Sequence, residues 1–160
     1  MGVAGCGKST LGEGLARALG CTLIEGDAHH LPASKAKMRA GTPLDDGDRE
    51  PWLDRLGALV ADSPGGAVLT CSALKRVYRE RLRSHVPGLR FVFIEIDQAA
   101  AVERVATRPA HMFPPSLVAN QFATLESPVG EPGVLAVSAR QALSAQVDAV
   151  TKWLEDLPAA

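Results

Sequence analysis

The sequence has no excess of charge of either sign. It contains 17 lysines and arginines against 18 aspartates and glutamates, for a formal net charge of −1. Proteins whose main partner is nucleic acid normally carry a clear basic excess on the whole domain or on one face. We therefore expect no nucleic-acid partner, although a locally positive pocket for a small substrate is compatible with this balance.

Long apolar segments and a cysteine framework are also missing. No run approaches the roughly 20 apolar residues that cross a bilayer, and no charged segment followed by an apolar one marks a secretory signal. The three cysteines, Cys6, Cys21 and Cys71, show no metal-ligand spacing. Because an odd number of cysteines without a framework is typical of a reducing compartment, we expect a cytoplasmic protein without a membrane partner.

The chain shows no internal repeat, low-complexity tract or interdomain linker. Its 160 residues, of which 46% are hydrophobic, are enough for one domain with its own core. We therefore predict a single domain over residues 1–160.

The strongest motif stands at the start of the chain. Residues 2–9 fit the pattern G-x-x-x-x-G-K-[ST] of the P-loop. The glycines let the backbone curl with its N–H groups facing nucleotide phosphates. Lys8 can reach the β- and γ-phosphates, Ser9 can bind Mg²⁺, and the following helix directs its positive end at the same phosphates. The predicted nucleotide-binding residues are Gly2, Val3, Ala4, Gly5, Cys6, Gly7, Lys8, Ser9 and Thr10.

The position of this motif is unusual. A P-loop normally follows a buried strand, and here the motif begins at residue 2. We therefore expect the first strand of the sheet to be missing from residues 1–160, which would leave the neighbouring strands with unpaired N–H and C=O groups. We expect that strand to be encoded directly ahead of Met1. The alternatives are a P-loop domain that has lost nucleotide binding, or a strand borrowed from a partner.

Short apolar segments alternate with helical patterns along the rest of the chain. This βαβα rhythm predicts an α/β fold with a mostly parallel sheet and helices on both faces. In such sheets ligands bind at the carboxyl ends of the strands. The predicted strands cover 22–25, 67–71, 89–96 and 134–137. The predicted helices cover about 9–19, 49–61, 77–83, 99–108, 115–125 and 142–157.

Three polar residues follow the first of these strands or the loop after it. Asp27 can orient a substrate hydroxyl, accept its proton or hold Mg²⁺ through water; the alternative is a turn or helix cap. His30 is either a substrate contact or a surface residue. Arg49, at a helix start that Asp48 is predicted to cap, either binds an anionic substrate or forms a salt bridge.

Two pairs of basic residues stand four apart, so that each pair shares one helix face. Lys75 and Arg79 follow the second predicted strand and bring positive charge to the ligand edge of the sheet. Arg104 and Arg108 precede a proline-rich connection, where arginines of a small kinase lid stabilise the transferring phosphoryl group and exclude water. The alternatives are a solvated helix face and ordinary charges at a helix C-terminus.

Taken together, these motifs resemble the gluconokinase family of small P-loop kinases. The Ser-Ala-Leu-Lys run at 72–75 and the Asp-Arg-x-Pro-Trp run at 48–52 are more specific than the P-loop. They separate this family from the shikimate, adenylate and adenylylsulfate kinases. The other matching runs are 1–10, 26–27, 37–38, 43–46, 78–79, 111 with 113, and 121–126, so the resemblance covers nearly the whole chain.

The resemblance implies a nucleoside-monophosphate-kinase-like fold with a small lid at about 108–126. It also implies Mg²⁺ and ATP, often a homodimer, and the phosphorylation of D-gluconate to 6-phospho-D-gluconate. Asp27 would meet the hydroxyl that is phosphorylated, and Lys8 would act with Arg104 and Arg108 in catalysis. The substrate contacts implied by the matching motifs are Asp27, His30, Lys37, Arg49, Lys75, Arg79, His111 and Gln121.

The chain departs from the family pattern at a few positions. Pro109 and Ala110 precede His111 where a basic residue or Glu and then Gly are common, and Cys6 stands where Ser is more frequent. The alternative function is that of another small-molecule P-loop kinase, of the shikimate type.

Overall fold

The computed structural model describes residues 1–108 and 113–158. These residues form seven helices and four strands, with one or two helices between successive strands and short 3₁₀ turns at Gly26–His29 and Pro115–Leu117. The strands are β1 Thr22–Glu25, β2 Ala67–Thr70, β3 Phe91–Glu95 and β4 Val134–Ser138. The helices are α1 Lys8–Leu19, α2 Pro32–Arg39, α3 Asp46–Ala61, α4 Arg76–His85, α5 Gln98–Thr107, α6 Val118–Thr124 and α7 Leu143–Glu155.

All strand pairs in the described residues are parallel, which confirms the predicted fold class. β1 pairs with β2, with Thr22 opposite Ala67, and β3 pairs with β4, with Phe91 opposite Val134. Each pair is joined by crossovers that contain helices, as parallel pairing requires. The carboxyl ends of β1 and β2 lead into the segments that carry Asp27 and Ser72.

Met1 and Gly2 lie between the two strand pairs. The amino group of Met1 donates to the Val92 carbonyl at 2.6 Å, and the Met1 carbonyl accepts from the Ile94 N–H at 3.1 Å. The Gly2 N–H donates to the Ser72 carbonyl at 3.2 Å. A cavity of about 390 Å³, lined by Met1 and by residues of β2 and β3, separates the two pairs. Over residues 1–108 and 113–158, then, no strand links β2 to β3, as the position of the motif led us to expect.

Helices cover both faces of the strands, and each face has its own core. One core packs α1, α5 and α7 against β3 and β4, with Leu11, Ile94 and Val150 among its buried side chains. The other packs α3 and α4, with Leu53 and Leu82 fully buried. Successive residues of a strand point to opposite faces, so a buried strand serves both cores. Trp52 and Leu53 of α3 also lie in the second core.

The start of α3 differs from the sequence prediction. The helix begins at Asp46, and its N-cap is Asp45 rather than Asp48. Asp45 Oδ1 accepts from the Asp48 N–H at 2.8 Å, and Asp48 Oδ2 accepts from the Asp45 N–H at 3.0 Å. This reciprocal pair is a capping box, which satisfies two backbone donors at once. The prediction was wrong because either carboxylate fits the cap pattern, and the reciprocal geometry selects the earlier one.

Helix α2 was not predicted. It has eight residues, of which Ser34 and Met38 are buried, so its apolar period is too short to be recognised. Its proline stands in the first turn, where the missing N–H has no intrahelical partner to lose. In the segment expected to form a lid, residues 113–126 contain the second 3₁₀ turn and α6. Among the described residues, none of the helices has both the length and the apolarity that a bilayer crossing demands.

Candidate functional site

A cavity of about 280 Å³ opens beside the P-loop. It lies where the loop, the turn after β1, the start of α3 and helix α6 meet. Its wall combines apolar side chains with charged and polar groups that converge from these separate elements. The groups that the chemistry below uses are Lys8, Ser9, Asp27, Arg49, Arg108 and Gln121.

The P-loop has the backbone that its glycines predict. Gly5 and Gly7 have φ angles of 81° and 101°, in the left-handed region that glycine adopts without strain. A Cβ at Gly5 would lie 2.8 Å from the Ala101 carbonyl oxygen, so the loop also needs glycine there for space. The Lys8 ammonium donates to the carbonyls of Gly2 and Val3, both at 2.9 Å. These contacts hold a positive charge directly over the curled backbone.

A carboxylate that the sequence reasoning missed lies beside Ser9. Glu25 Oε2 accepts from Ser9 Oγ at 3.0 Å and from Thr70 Oγ1 at 2.6 Å. The Gly26 N–H donates to Thr70 Oγ1 at 3.2 Å, which keeps the threonine in place. The available signal was the position of Glu25 at the end of β1, two residues before Asp27. Its partner Ser9 lies 16 residues away on another element, so spacing alone did not reveal the contact.

The Ser9 and Glu25 oxygens fit Mg²⁺, which prefers hard oxygen ligands. A cluster of three or more His, Cys, Asp or Glu with metal-binding geometry is absent from the part of the chain that the structure describes. Mg²⁺ that is bound beside substrate phosphates usually takes one or two protein oxygens, and phosphate and water oxygens complete its coordination.

Asp27 lies on the 3₁₀ turn after β1. Its side chain is 70% exposed and lines the cavity. Asp27 Oδ1 lies 3.6 Å from Nε2 of the buried His30. The His30 ring stacks on Trp52 with 4.1 Å between ring centroids, and Trp52 Nε1 donates to the Gly26 carbonyl at 2.9 Å. The stacked rings of His30 and Trp52 therefore hold the turn that carries Asp27. Nδ1 of His30 is buried without a hydrogen-bond partner among the described residues.

Arg49 reaches the cavity from the first turn of α3. Its Nη1 donates to the Leu44 carbonyl and, at 3.3 Å, to the Tyr78 hydroxyl. Tyr78 in turn donates to Asp46, and Lys75 Nζ lies 3.0 Å from Asp46 Oδ1. The Tyr78 and Lys75 hydrogen bonds lower the pKa of Asp46. Lys75 is thus paired with the start of α3 and does not line the cavity.

Lys37, on α2, is likewise paired with an aspartate in the first turn of α3. Its ammonium contacts both oxygens of Asp48, at 3.0 and 2.8 Å, and this pairing lowers the pKa of the Asp48 carboxyl. Lys37 therefore supports the capping box of α3 and lies outside the cavity lining.

Arg79 has a position quite different from the substrate contact that the motif implied. It is fully buried, and its guanidinium forms a bidentate pair with Glu131 at 3.1 and 2.6 Å. It also donates to the carbonyls of Ala73, Leu74 and Glu126. These contacts tie the segment after β2 to the segment after α6. Arg79 does not line the cavity.

The predicted lid residues divide between two positions. Arg104 donates to the carbonyls of Gly5 at 3.3 Å and Ala139 at 3.2 Å, behind the P-loop. Arg108 and Gln121 line the cavity, and Gln121 Oε1 accepts from the Ala4 N–H at 2.6 Å. His111 lies outside the described residues. The cavity thus brings together Lys8, Ser9, Asp27, His30, Arg49, Arg108 and Gln121, and leaves out Lys37, Lys75, Arg79 and Arg104.

The sequence is similar to those of known proteins over most of its length. The sequence model of the family described as AAA domain matches residues 1–128. A curated relative, the gluconokinase of Gluconobacter oxydans, is 47% identical over 142 residues, which cover 86% of this chain and 79% of the relative.

Two solved structures have the same fold over almost the whole chain. A gluconokinase from Sinorhizobium meliloti is 43% identical, with a TM-score of 0.83 over 97% of this chain and 93% of its own. An unliganded sugar kinase from Janibacter is 35% identical, with a TM-score of 0.89 over 99% of this chain and 93% of its own. The helices and parallel strands described above therefore have experimentally determined counterparts.

Proposed function

The chain belongs to the gluconokinase family, and we propose that it transfers the γ-phosphoryl group of ATP to D-gluconate. The observation that carries this proposal is the shared cavity. It places the P-loop residues Lys8 and Ser9 in one space with the carboxylate of Asp27 and the guanidinium of Arg49. A phosphate-binding loop that faces a carboxylate and a guanidinium suits phosphoryl transfer to an acceptor with both a hydroxyl and a negatively charged group.

The nucleotide half of the site is formed by the loop and the start of α1. Backbone N–H groups of the loop and the positive end of this 12-residue helix favour phosphate oxygens. Lys8 exchanges its contacts with the Gly2 and Val3 carbonyls for the β- and γ-phosphates. Ser9 and Glu25 would hold Mg²⁺, which when bound neutralises charge on the phosphates.

The acceptor half of the site centres on Asp27. Its carboxylate accepts a hydrogen bond from the attacking hydroxyl of the sugar acid and takes the proton as the new O–P bond forms. The bond between the γ-phosphorus and the bridging oxygen breaks at the same time, and ADP leaves with the electron pair. The stacked pair of His30 and Trp52 keeps the turn that carries Asp27 in place.

The charged residues around Asp27 bind and enclose the sugar acid. Arg49 offers a planar guanidinium that can grip a carboxylate in a bidentate way. Arg108 places positive charge beside the negative charge on the oxygens of the transferring phosphoryl group. Gln121 offers amide donors to the hydroxyl oxygens of the sugar acid. Lys37 and Lys75 support this arrangement through the start of α3, and Arg79 does so through the segment after β2. The family resemblance implies that His111 is a further substrate contact.

We further propose that the protein acts in the cytoplasm as a homodimer. The cysteine usage supports the first part, since Cys6 and Cys71 are buried free thiols. The second part follows the family resemblance alone.

A coupled assay that detects ADP formation tests the function directly. We expect Mg²⁺- and ATP-dependent turnover with D-gluconate, and its loss in Lys8→Ala. A panel that adds shikimate and related sugar acids distinguishes the acceptor class. Turnover with shikimate or another polyol, combined with none on D-gluconate, would overturn the proposal in favour of a related kinase.

A further inference from the structure

One hydrogen bond connects the P-loop to the opposite wall of the cavity. Gln121 Oε1, on helix α6, accepts from the Ala4 N–H at 2.6 Å. The two residues are 117 positions apart in the sequence, so the bond depends entirely on tertiary structure. A backbone donor of the nucleotide loop is thereby held by a side chain that also lines the acceptor side of the cavity.

The segment directly behind Gln121 is anchored to the body of the protein. The Leu125 N–H donates to the Gln121 carbonyl at 2.9 Å, and the Glu126 N–H donates to the Leu74 carbonyl at 2.8 Å. The Glu126 carboxylate accepts from the Arg76 N–H at the start of α4, at 2.8 Å. Arg79 adds a bond to the Glu126 carbonyl at 3.1 Å. Gln121 therefore sits about one helical turn from a fixed point, which limits the positions its side chain can take.

The oxygen and the nitrogen of the Gln121 amide can make different contacts. A glutamine amide has one acceptor oxygen and a nitrogen with two donors. Because the oxygen is bound to the Ala4 N–H, the nitrogen is the end that can contact a second ligand in the cavity. A polyhydroxy acid presents hydroxyl and carboxylate oxygens, which accept such donors.

We propose that Gln121 couples the nucleotide loop to the sugar-acid subsite. Its Oε1 holds the Ala4 N–H while its Nε2 donates to an oxygen of the bound acceptor. This inference rests on the proposed function and extends it to cooperativity between the two substrates. A nucleotide that orders the P-loop also orders Gln121, so the acceptor binds to a side chain that is already in place. By linkage, the acceptor tightens nucleotide binding by the same factor.

Titration calorimetry measures this coupling without turnover. The dissociation constant for D-gluconate is determined alone and with saturating Mg²⁺ and AMP-PNP, a non-hydrolysable ATP analogue. For the unmodified chain we expect gluconate to bind at least about fivefold tighter with the nucleotide, the lower end of typical coupling. In Gln121→Met, which keeps the length and loses the amide, we expect the ratio to fall to about one.

Two further variants complete the test. Ala123→Met places the same new side chain on an exposed position of α6 and should keep the full ratio. Gln121→Glu can still accept from Ala4 but has no donor, so it should lose the coupling and bind gluconate about tenfold more weakly. Circular dichroism checks that each variant is folded. If Gln121→Met does not fold, the loss of coupling is tested with Gln121→Glu instead.

The outcomes separate this inference from the proposed function. If the unmodified chain phosphorylates gluconate and shows no coupling, or if Gln121→Met keeps the full ratio, the inference is wrong and the function stands. If the unmodified chain neither binds nor phosphorylates gluconate, the proposed function fails, and the inference fails with it.

Discussion

The hydroxyl of Ser9 donates a 3.0 Å hydrogen bond to Oε2 of Glu25. This contact joins the first turn of α1 to the end of β1, and it places a carboxylate beside the hydroxyl that the P-loop pattern assigns to Mg²⁺. Thr70 donates to the same oxygen at 2.6 Å, so the carboxylate is held from two sides. A carboxylate oriented in this way suits the binding of a hard divalent cation.

We predict that Glu25→Gln weakens the use of Mg²⁺. The amide keeps the shape of the side chain but removes the negative charge that favours a divalent cation. The Mg²⁺ concentration for half-maximal turnover should rise about tenfold, the lower end for removal of a group that orients a metal site. Glu95→Gln, at the exposed end of β3, is the matched control and should leave this concentration unchanged. Equal Mg²⁺ dependence in both variants would contradict the assignment.

We predict that Asp27→Asn lowers kcat by about 10²- to 10⁴-fold, because an amide cannot accept the proton of the attacking hydroxyl. The KM for ATP should change little, since the P-loop is untouched. Steady-state kinetics with D-gluconate and ATP measure both values. If kcat were retained in Asp27→Asn, the carboxylate would have no part in proton transfer.

We predict that Glu131→Gln destabilises the fold by about 3–5 kcal/mol, the usual cost when one partner of a buried pair is removed. The Arg79 guanidinium is fully buried, and the change would leave its charge without a carboxylate. Arg76→Gln is the control because the Arg76–Glu80 pair is largely exposed and is worth less than about 1 kcal/mol. Urea unfolding followed by circular dichroism gives both values. A loss in Glu131→Gln no larger than in the control would show that the pair does not stabilise the fold.

The same pair predicts a pH dependence of stability. Arg79 lowers the pKa of Glu131 below its ordinary value of 4.5. The Glu131 carboxylate therefore contributes fully to the free energy of unfolding above pH 4.5. This contribution is lost as the pH falls through the lowered pKa, because the unfolded chain takes up the proton more readily than the folded chain. Unfolding in urea at a series of acidic pH values should show a steeper decline for the unmodified chain than for Glu131→Gln. Parallel curves would refute the link.

Cysteine reactivity provides a further check on the core. Burial raises the pKa of the Cys71 thiol to about 11, so at pH 8 about one molecule in a thousand carries the reactive thiolate. Cys21 is half-buried at the end of α1 and should react first with iodoacetamide. Peptide mass spectrometry should find Cys21 modified and Cys71 intact, with both modified in urea. Rapid labelling of Cys71 in the folded protein would place it outside the core described here.

The sequence predicted the elements of this fold better than the partners of individual side chains. Strand β1 was predicted at its observed bounds, and β4 to within one residue, because a short apolar run bounded by turn residues indicates a strand locally. Arg79 shows the limit of such reasoning. Its spacing from Lys75 suggested a shared ligand-facing surface, and the packing instead buries Arg79 against Glu131, 52 residues further along. Helical spacing predicts which residues share a face, and the rest of the chain decides what covers that face.

Some features of the candidate site could likewise be predicted from the sequence, and others depended on the tertiary structure. Local pattern was sufficient for the P-loop, since its glycines, Lys8 and Ser9 act through one continuous backbone curl and the helix that follows. The end of a predicted strand also located Asp27, which lines the cavity; its role there stays a prediction. The bonds from Ser9 to Glu25 and from Ala4 to Gln121, and the burial of Arg79, were decided by tertiary structure alone. Each joins residues from separate elements, and the packing of helices against strands sets their distances.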